Sequence, residues 1–126
     1  MSRPVHYDVE RTLADLHAGW AAYRLGPDAE ACEKIALAHR AVFGELIRMT
    51  LQSENNGYTN IDVLEAGQML LADWLVFMMS VYREDDKQFT MCRVFLNNTY
   101  RGVVARKSSK GADQTVELWV TSGGHA

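Results

Sequence analysis

The residues of this sequence that come nearest to a reactive set are Cys32 and His39. They lie two turns apart on the apolar side of a predicted helix, where they would suit a Cys/His catalytic pair or two metal ligands. Zinc needs three or four protein ligands, usually closely spaced, and the sequence offers no convincing third and fourth. We therefore expect no metal site, and we interpret His39 as a buried, hydrogen-bonded histidine beside a small buried thiol.

A second candidate is Asp73, which stands between Ala72 and Trp74 in the most apolar stretch of the chain. A carboxylate buried there would have a raised pKa and could act as a general acid or base. The alternative is that Asp73 marks a narrow wet face or pairs with an arginine. Because no second carboxylate stands at a defined spacing, the catalytic interpretation is the weaker one.

Other catalytic patterns are absent from the sequence. There is no nucleophile elbow, no pair of acid and base carboxylates and no glycine-rich nucleotide loop. The run Ser108-Ser109-Lys110-Gly111 lacks the upstream glycine and the strand-loop-helix setting of a phosphate-binding loop. The expectation is a protein that is not an enzyme and has no cofactor.

Basic residues concentrate near the C-terminal end. Counted through Asp86 there are 14 acidic and 7 basic residues, whereas the stretch from Lys87 to Lys110 has six basic residues and no acidic one. Arg101, Arg106, Lys107 and Lys110 could follow a phosphate backbone, with aromatic side chains nearby to stack on bases. The overall pI near 5.8 disfavours this nucleic-acid interpretation, which stays as the alternative.

Methionine and aromatic residues cluster in the apolar stretch and just after it. Such side chains are enriched at binding surfaces because they adapt in shape and offer a large contact area. Met69, Val76 and Met79 share a helix side with polar residues, so we predict that they contact a partner. Trp119 and Arg106 complete the predicted partner-binding set.

The bulk properties indicate one folded domain over residues 1–126. Hydrophobic residues make up 48% and charged residues 23% of the chain, which are ordinary globular values. The two cysteines have neither metal-type nor redox-type spacing, and the sequence shows no basic start followed by an apolar stretch that would indicate a secretory signal. Four polar residues inside the longest apolar run argue against a membrane span. We expect a cytoplasmic protein with reduced thiols.

Hydrophobic periodicity predicts three helices, at about residues 8–25, 28–53 and 60–83. The first has Asp8 as a plausible N-cap, and the third can be capped by Thr59 or Asn60. The third helix is apolar almost all the way round, whereas a surface helix of a small domain is apolar on one stripe only. Such a helix lies at the centre of its fold or is covered by another chain.

The last third of the chain is rich in aromatic and β-branched residues, which favour strands. Strands are predicted at about 88–97, 99–107 and 115–121, with Asn97-Asn98 as a two-residue turn and a loop over 108–113. The expected fold class is therefore α+β, three helices packed on a three-stranded antiparallel sheet. The alternative is a mostly α fold with a fourth helix at 87–105, because Asp85 and Gln88 resemble a capping box.

Both faces of the predicted sheet and the third helix carry more apolar surface than one copy would keep from water. The leading hypothesis is a small interaction protein, an inhibitor, adaptor or anti-activator that masks another protein's surface, as a homodimer. The alternatives are a nucleic-acid-binding regulator that uses the basic 101–110 segment and a small enzyme or ligand carrier around His39 or Asp73.

Overall fold

The computed structural model describes residues 5–80, 85–108 and 116–121, and within 85–108 it describes every side chain except those of residues 85, 86 and 88. Five helices account for most of this part of the chain: α1 Val9–Ala22, α2 Ala31–Ala38, α3 Ala41–Asn55, α4 Asn60–Met79 and α5 Asp85–Ser108. The fold is all-helical, and the α+β expectation is wrong. The alternative of a helix after residue 87 agrees with the structure.

The predicted strands at 88–97 and 99–107 form one helix, α5. Strand propensity is a weak preference that packing overrides, and the same residues also place Met91, Cys92 and Phe95 on one helical face, where they meet α4. Asn97 and Asn98 lie inside the helix and form no turn. Thr99 is accommodated because its Oγ1 donates a hydrogen bond of 2.8 Å to the carbonyl oxygen of Phe95.

The predicted strand at 115–121 is extended where the structure describes it, but it joins no sheet there. It forms one antiparallel bridge, between Tyr7 and Val120. The amide of Asp8 donates to the carbonyl oxygen of Trp119 at 2.8 Å, and that of Thr121 donates to His6 at 2.9 Å. This short pairing holds residues 116–121 against the segment that precedes α1.

The predicted second helix, 28–53, is two helices. His39 leaves the helical region, with φ −117° and ψ 30°, and α3 starts at Ala41. Neither glycine nor proline marks this break, so the sequence pattern could not reveal it. The guanidinium of Arg40 lies 4.9 Å from the ring centre of Tyr23, which links the break to the end of α1 by a cation–π contact.

The chain divides into two compact units, the first Met1–Val63 with Val116–Ala126 and the second Leu64–Thr115. In the first unit α1 packs on α3, and the buried hydrophobic side chains there are Leu13 and Leu51. Gly44 of α3 is buried against α1, where a Cβ would lie 3.4 Å from Nε2 of His17. The glycine allows the two helices to approach closely.

Side-chain caps fix the starts of two helices in this unit. Oδ1 of Asp8 accepts a hydrogen bond from the amide of Arg11, which confirms the predicted N-cap of α1. At α4, Oγ1 of Thr59 accepts from the amide of Asp62 at 3.2 Å, and the Asp62 carboxylate accepts from the Thr59 amide at 2.9 Å. This reciprocal pair is a capping box, and Thr59 is the cap.

The second unit contains most of α4 and all of α5. Trp74 of α4 meets Phe95 of α5, and residues of both helices line one apolar pocket beside this contact. Over the described residues, no helix combines the length and the apolar character needed to cross a membrane.

Candidate protein-interaction surface

The contact between α4 and α5 centres on two aromatic rings. Trp74 and Phe95 meet edge to face, with ring centroids 5.6 Å apart and an interplanar angle of 68°. Beside them lies an apolar pocket of about 110 Å³, lined by Trp74, Leu75, Met78, Met79, Met91, Cys92 and Phe95. The walls are aliphatic, aromatic or sulfur-bearing, so the pocket suits an apolar group.

The two helices leave large hydrophobic side chains in water, including some of those at this contact. None of the described side chains of α4 or α5 is buried. Between Leu64 and Ser108 the exposed large hydrophobic residues are Leu64, Met69, Leu70, Trp74, Val76, Phe77, Met78, Phe89, Met91, Val94, Leu96, Tyr100, Val103 and Val104. We call this set the α4–α5 surface.

The α4–α5 surface leaves a large apolar area in water, distributed over several sides of the two helices. A large hydrophobic side chain has roughly 100–250 Å² of surface, so this set leaves on the order of 1,000 Å² of apolar area in water. The largest apolar patch on a typical monomer is about 300–600 Å². Contiguous patches above that size commonly serve as binding sites, which makes the α4–α5 surface a candidate interaction surface.

The structure places the three residues of α4 that were predicted to contact a partner in two different settings. Met69 and Val76 are 71% and 64% exposed, so they belong to the α4–α5 surface. Met79 is half-buried and lines the apolar pocket. All three are therefore within reach of a molecule that covers both the outer side of α4 and the pocket.

The two other predicted contact residues are engaged within the chain. Trp119 lies in the first unit, where the guanidinium of Arg11 stands 3.6 Å from its ring centre and its amide donates to Oγ1 of Thr12. On α5, Nη1 of Arg106 donates to the carbonyl oxygen of Gly102 at 3.2 Å. These contacts lie within the first unit for Trp119 and within α5 for Arg106.

The basic residues proposed for nucleic-acid binding do not form one stripe. A helix turns about 100° per residue, so Arg101, Arg106 and Lys107 project from three different sides of α5. A phosphate backbone followed along one face would meet only part of this set. Lys110 and most of the predicted 108–113 loop lie outside the described residues.

The candidate reactive residues were expected to be buried, and most of them are exposed. His39 ends α2 and is exposed, as are Cys32 and Asp73, while Cys92 is half-buried. Cys32 is near Oε2 of Glu30, at 3.8 Å, and makes no contact with His39 that would form a reactive pair. No group of three or more metal-ligating side chains exists within the described part of the chain.

The two helices that carry the exposed surface have opposite charge. The residues of α4 include Asp62, Glu65 and Asp73 and no basic residue, whereas from Lys87 onward α5 has five basic residues and no acidic one. Glu65 and Asp73 form no salt bridge with any described residue. The same is true of Arg93, Arg101 and Lys107, so complementary charges remain available on both helices.

Sequence reasoning missed part of this surface. Leu70 and Phe77 lie in the third predicted helix, which is apolar almost all the way round, but the predicted contact set does not include them. They are 55% and 68% exposed. The available signal was the apolar character around the whole helix, which leaves no polar side to face water.

No protein-family model matches this chain, and neither the curated proteins nor the solved structures that were compared with it give a match.

Proposed function

We propose that this protein is a non-enzymatic interaction protein whose working surface is the α4–α5 surface. The observation that carries the proposal is the exposure of Met69, Val76 and Phe77 on one helix and of Phe89 and Tyr100 on the other. Burying such side chains in a complex is favourable, at about 25 cal/mol per Å² of apolar area. Covering another protein's surface in this way suits an inhibitor, an adaptor or an anti-activator.

The remaining candidate functions have less support. A ligand carrier or enzyme around His39 or Asp73 would need an enclosed polar site, and both side chains are exposed. A nucleic-acid-binding regulator would use Arg101, Arg106 and Lys107, which stand on different sides of α5. The cytoplasmic location inferred from cysteine usage remains part of the proposal.

The test compares two glutamate substitutions at hydrophobic positions of similar exposure. Phe77 is 68% exposed and belongs to the α4–α5 surface, whereas Ile35 of α2 is 63% exposed and lies in the first unit. Phe77→Glu and the control Ile35→Glu both replace an exposed hydrophobic side chain with a charge. Neither substitution removes a buried contact, so both variants should fold.

Each tagged protein is cross-linked in its native host, purified, and analysed by quantitative mass spectrometry, with this chain itself counted among the recovered partners. We expect a partner that wild type and Ile35→Glu recover equally and that Phe77→Glu loses at least about tenfold. Recovery that is unchanged by Phe77→Glu would contradict the proposal, since the partner would then bind elsewhere.

A further inference from the structure

We infer that a second copy of this chain covers the α4–α5 surface, with α4 of each copy lying against α5 of the other. The inference rests on the proposed function and names the partner for the same surface. It adds to that function that, before any other protein binds, the α4–α5 surface is already covered by a second copy of this chain.

Charge is the first argument for a second copy. Acidic α4 carries Glu65 and Asp73, and basic α5 carries Arg93 and Arg101, all of them without an ion pair among the described residues. A second copy presents the complementary helix to each of these without any change of sequence. Two-fold symmetry then makes each contact twice, since α4 meets the partner's α5 and α5 meets the partner's α4.

Area is the second argument. Each partner in a standard protein interface contributes about 800 Å², and obligate homodimers bury more than that. The apolar area left open on α4 and α5 is on the order of 1,000 Å² per copy, so a second copy that covered most of it would bury about the area of a standard interface. The residues involved are aromatic, aliphatic and methionine side chains, a composition typical of the interior of such interfaces.

The apolar pocket provides an internal reporter. Cys92 is half-buried in its wall, and the covering copy would close the pocket over the thiol. Cys32 is exposed on α2 in the first unit, outside the proposed interface. The wild-type chain therefore contains one thiol that the interface protects and one that serves as its control.

The first experiment measures the alkylation rate of each thiol with excess iodoacetamide, at increasing concentrations of wild-type protein. We expect the rate constant at Cys92 to fall about tenfold or more as the dimer forms, and the rate constant at Cys32 to stay constant. The inference would be overturned if the rate constant at Cys92 did not change with protein concentration and the protein kept the mass of one chain over the same range.

A second experiment tests which helices meet. In one variant Glu65→Lys and Asp73→Lys make α4 basic, and in the other Arg93→Glu and Arg101→Glu make α5 acidic. Each variant alone places like charges across the interface, so its dimer dissociation constant should rise at least about tenfold. Mixed together, the two variants should form a one-to-one heterodimer, which native mass spectrometry resolves.

The control for the second experiment is Glu33→Lys with Lys34→Glu, two charge reversals on α2 that should leave the dissociation constant unchanged. Variants that dimerise as wild type does, or a mixture that forms no heterodimer although each variant keeps its helical circular dichroism, would overturn the pairing of α4 with α5. If the wild-type chain is monomeric and Phe77→Glu still loses a partner protein from the host, the second copy is refuted and the proposed function stands.

Discussion

Trp74 of α4 and Phe95 of α5 meet edge to face with their ring centroids 5.6 Å apart, and this contact marks where the two helices of the second unit converge. Each ring lies on one side of its own helix. The side chains around them on the other sides, Phe77 and Phe89 among them, are 68% and 72% exposed. The second unit therefore has a small internal contact between α4 and α5 and leaves a larger apolar area exposed.

Phe95→Ala should destabilise the second unit by about 2 kcal/mol, because it removes both apolar burial and the aromatic contact with Trp74. Phe89→Ala is the matched control, since Phe89 is 72% exposed in the single chain. Urea denaturation followed by circular dichroism at low protein concentration measures both effects. Equal losses of stability from the two substitutions would contradict the assigned roles of the two rings.

Asn55→Ala should cost the first unit about 1–3 kcal/mol. The Asn55 side chain accepts from the Tyr7 amide at 2.7 Å and donates to the Tyr7 carbonyl oxygen at 2.9 Å, which ties the end of α3 to the segment before α1. The neighbouring Asn56 is exposed, and Asn56→Ala should change the free energy of unfolding by less than about 0.5 kcal/mol. Equal free energies of unfolding for the two variants in chemical denaturation would show that the Asn55–Tyr7 hydrogen bonds do not stabilise the first unit.

Acid should loosen the start of α4. Hydrogen bonds from the Thr59 amide and hydroxyl hold the pKa of Asp62 below its usual value. A group whose pKa is lowered on folding stabilises the fold above its unfolded pKa, and this stabilisation is lost as the pH falls through the folded pKa. Amide exchange at the first turn of α4 should therefore speed up below about pH 4, beyond the intrinsic change of exchange rate with pH.

Asp62→Asn should remove this component of the acid response, because the amide carries no titrating charge. Asp15→Asn, at an exposed residue of α1, controls for the loss of one carboxylate. An Asp62→Asn variant whose first turn keeps the full acid response of wild type would show that the capping box is not its source.

Replacing two glycines by larger residues should change the stability of the first unit in opposite directions. A Cβ at Gly19 would meet nothing within 4 Å, so Gly19→Ala should stabilise α1 by about 0.5–1 kcal/mol through helix propensity. Gly44 is buried against His17 and Trp20, so Gly44→Val should destabilise the first unit by about 1–3 kcal/mol through overpacking. Thermal unfolding measures both, and a Gly44→Val variant as stable as wild type would refute the close approach of α1 and α3.

Local signals in the sequence predicted the starts of α1 and α4, because Asp8 and Thr59 act within one turn of the chain. The same local reasoning could not separate strand from helix over 89–104, where β-branched and aromatic residues also fit a helical stripe. In the structure these residues form one helix, and Phe95 contacts Trp74 of α4, a long-range contact that local patterns do not reveal. The break at His39 had no local marker at all.

The exposed surface was only partly predictable for a related reason. A helix apolar on all sides indicates that something must cover it, but periodicity does not say which sides the chain itself covers. Met79 was predicted to lie with Met69 and Val76, and it instead lines the pocket beside Cys92. Because residues 85–108 form the helix α5, the residues of the two predicted sheet faces lie around that helix instead.

The mass of the wild-type protein in solution, followed by light scattering across a concentration series, tests the account most directly. Two copies joined through α4 and α5 would weigh about 28 kDa, twice the 14.2 kDa of one chain. We expect that mass at high concentration and a shift towards one chain for Phe77→Glu, with Ile35→Glu unchanged. A wild-type mass of 14.2 kDa throughout the series would contradict the claim that a second copy covers this surface.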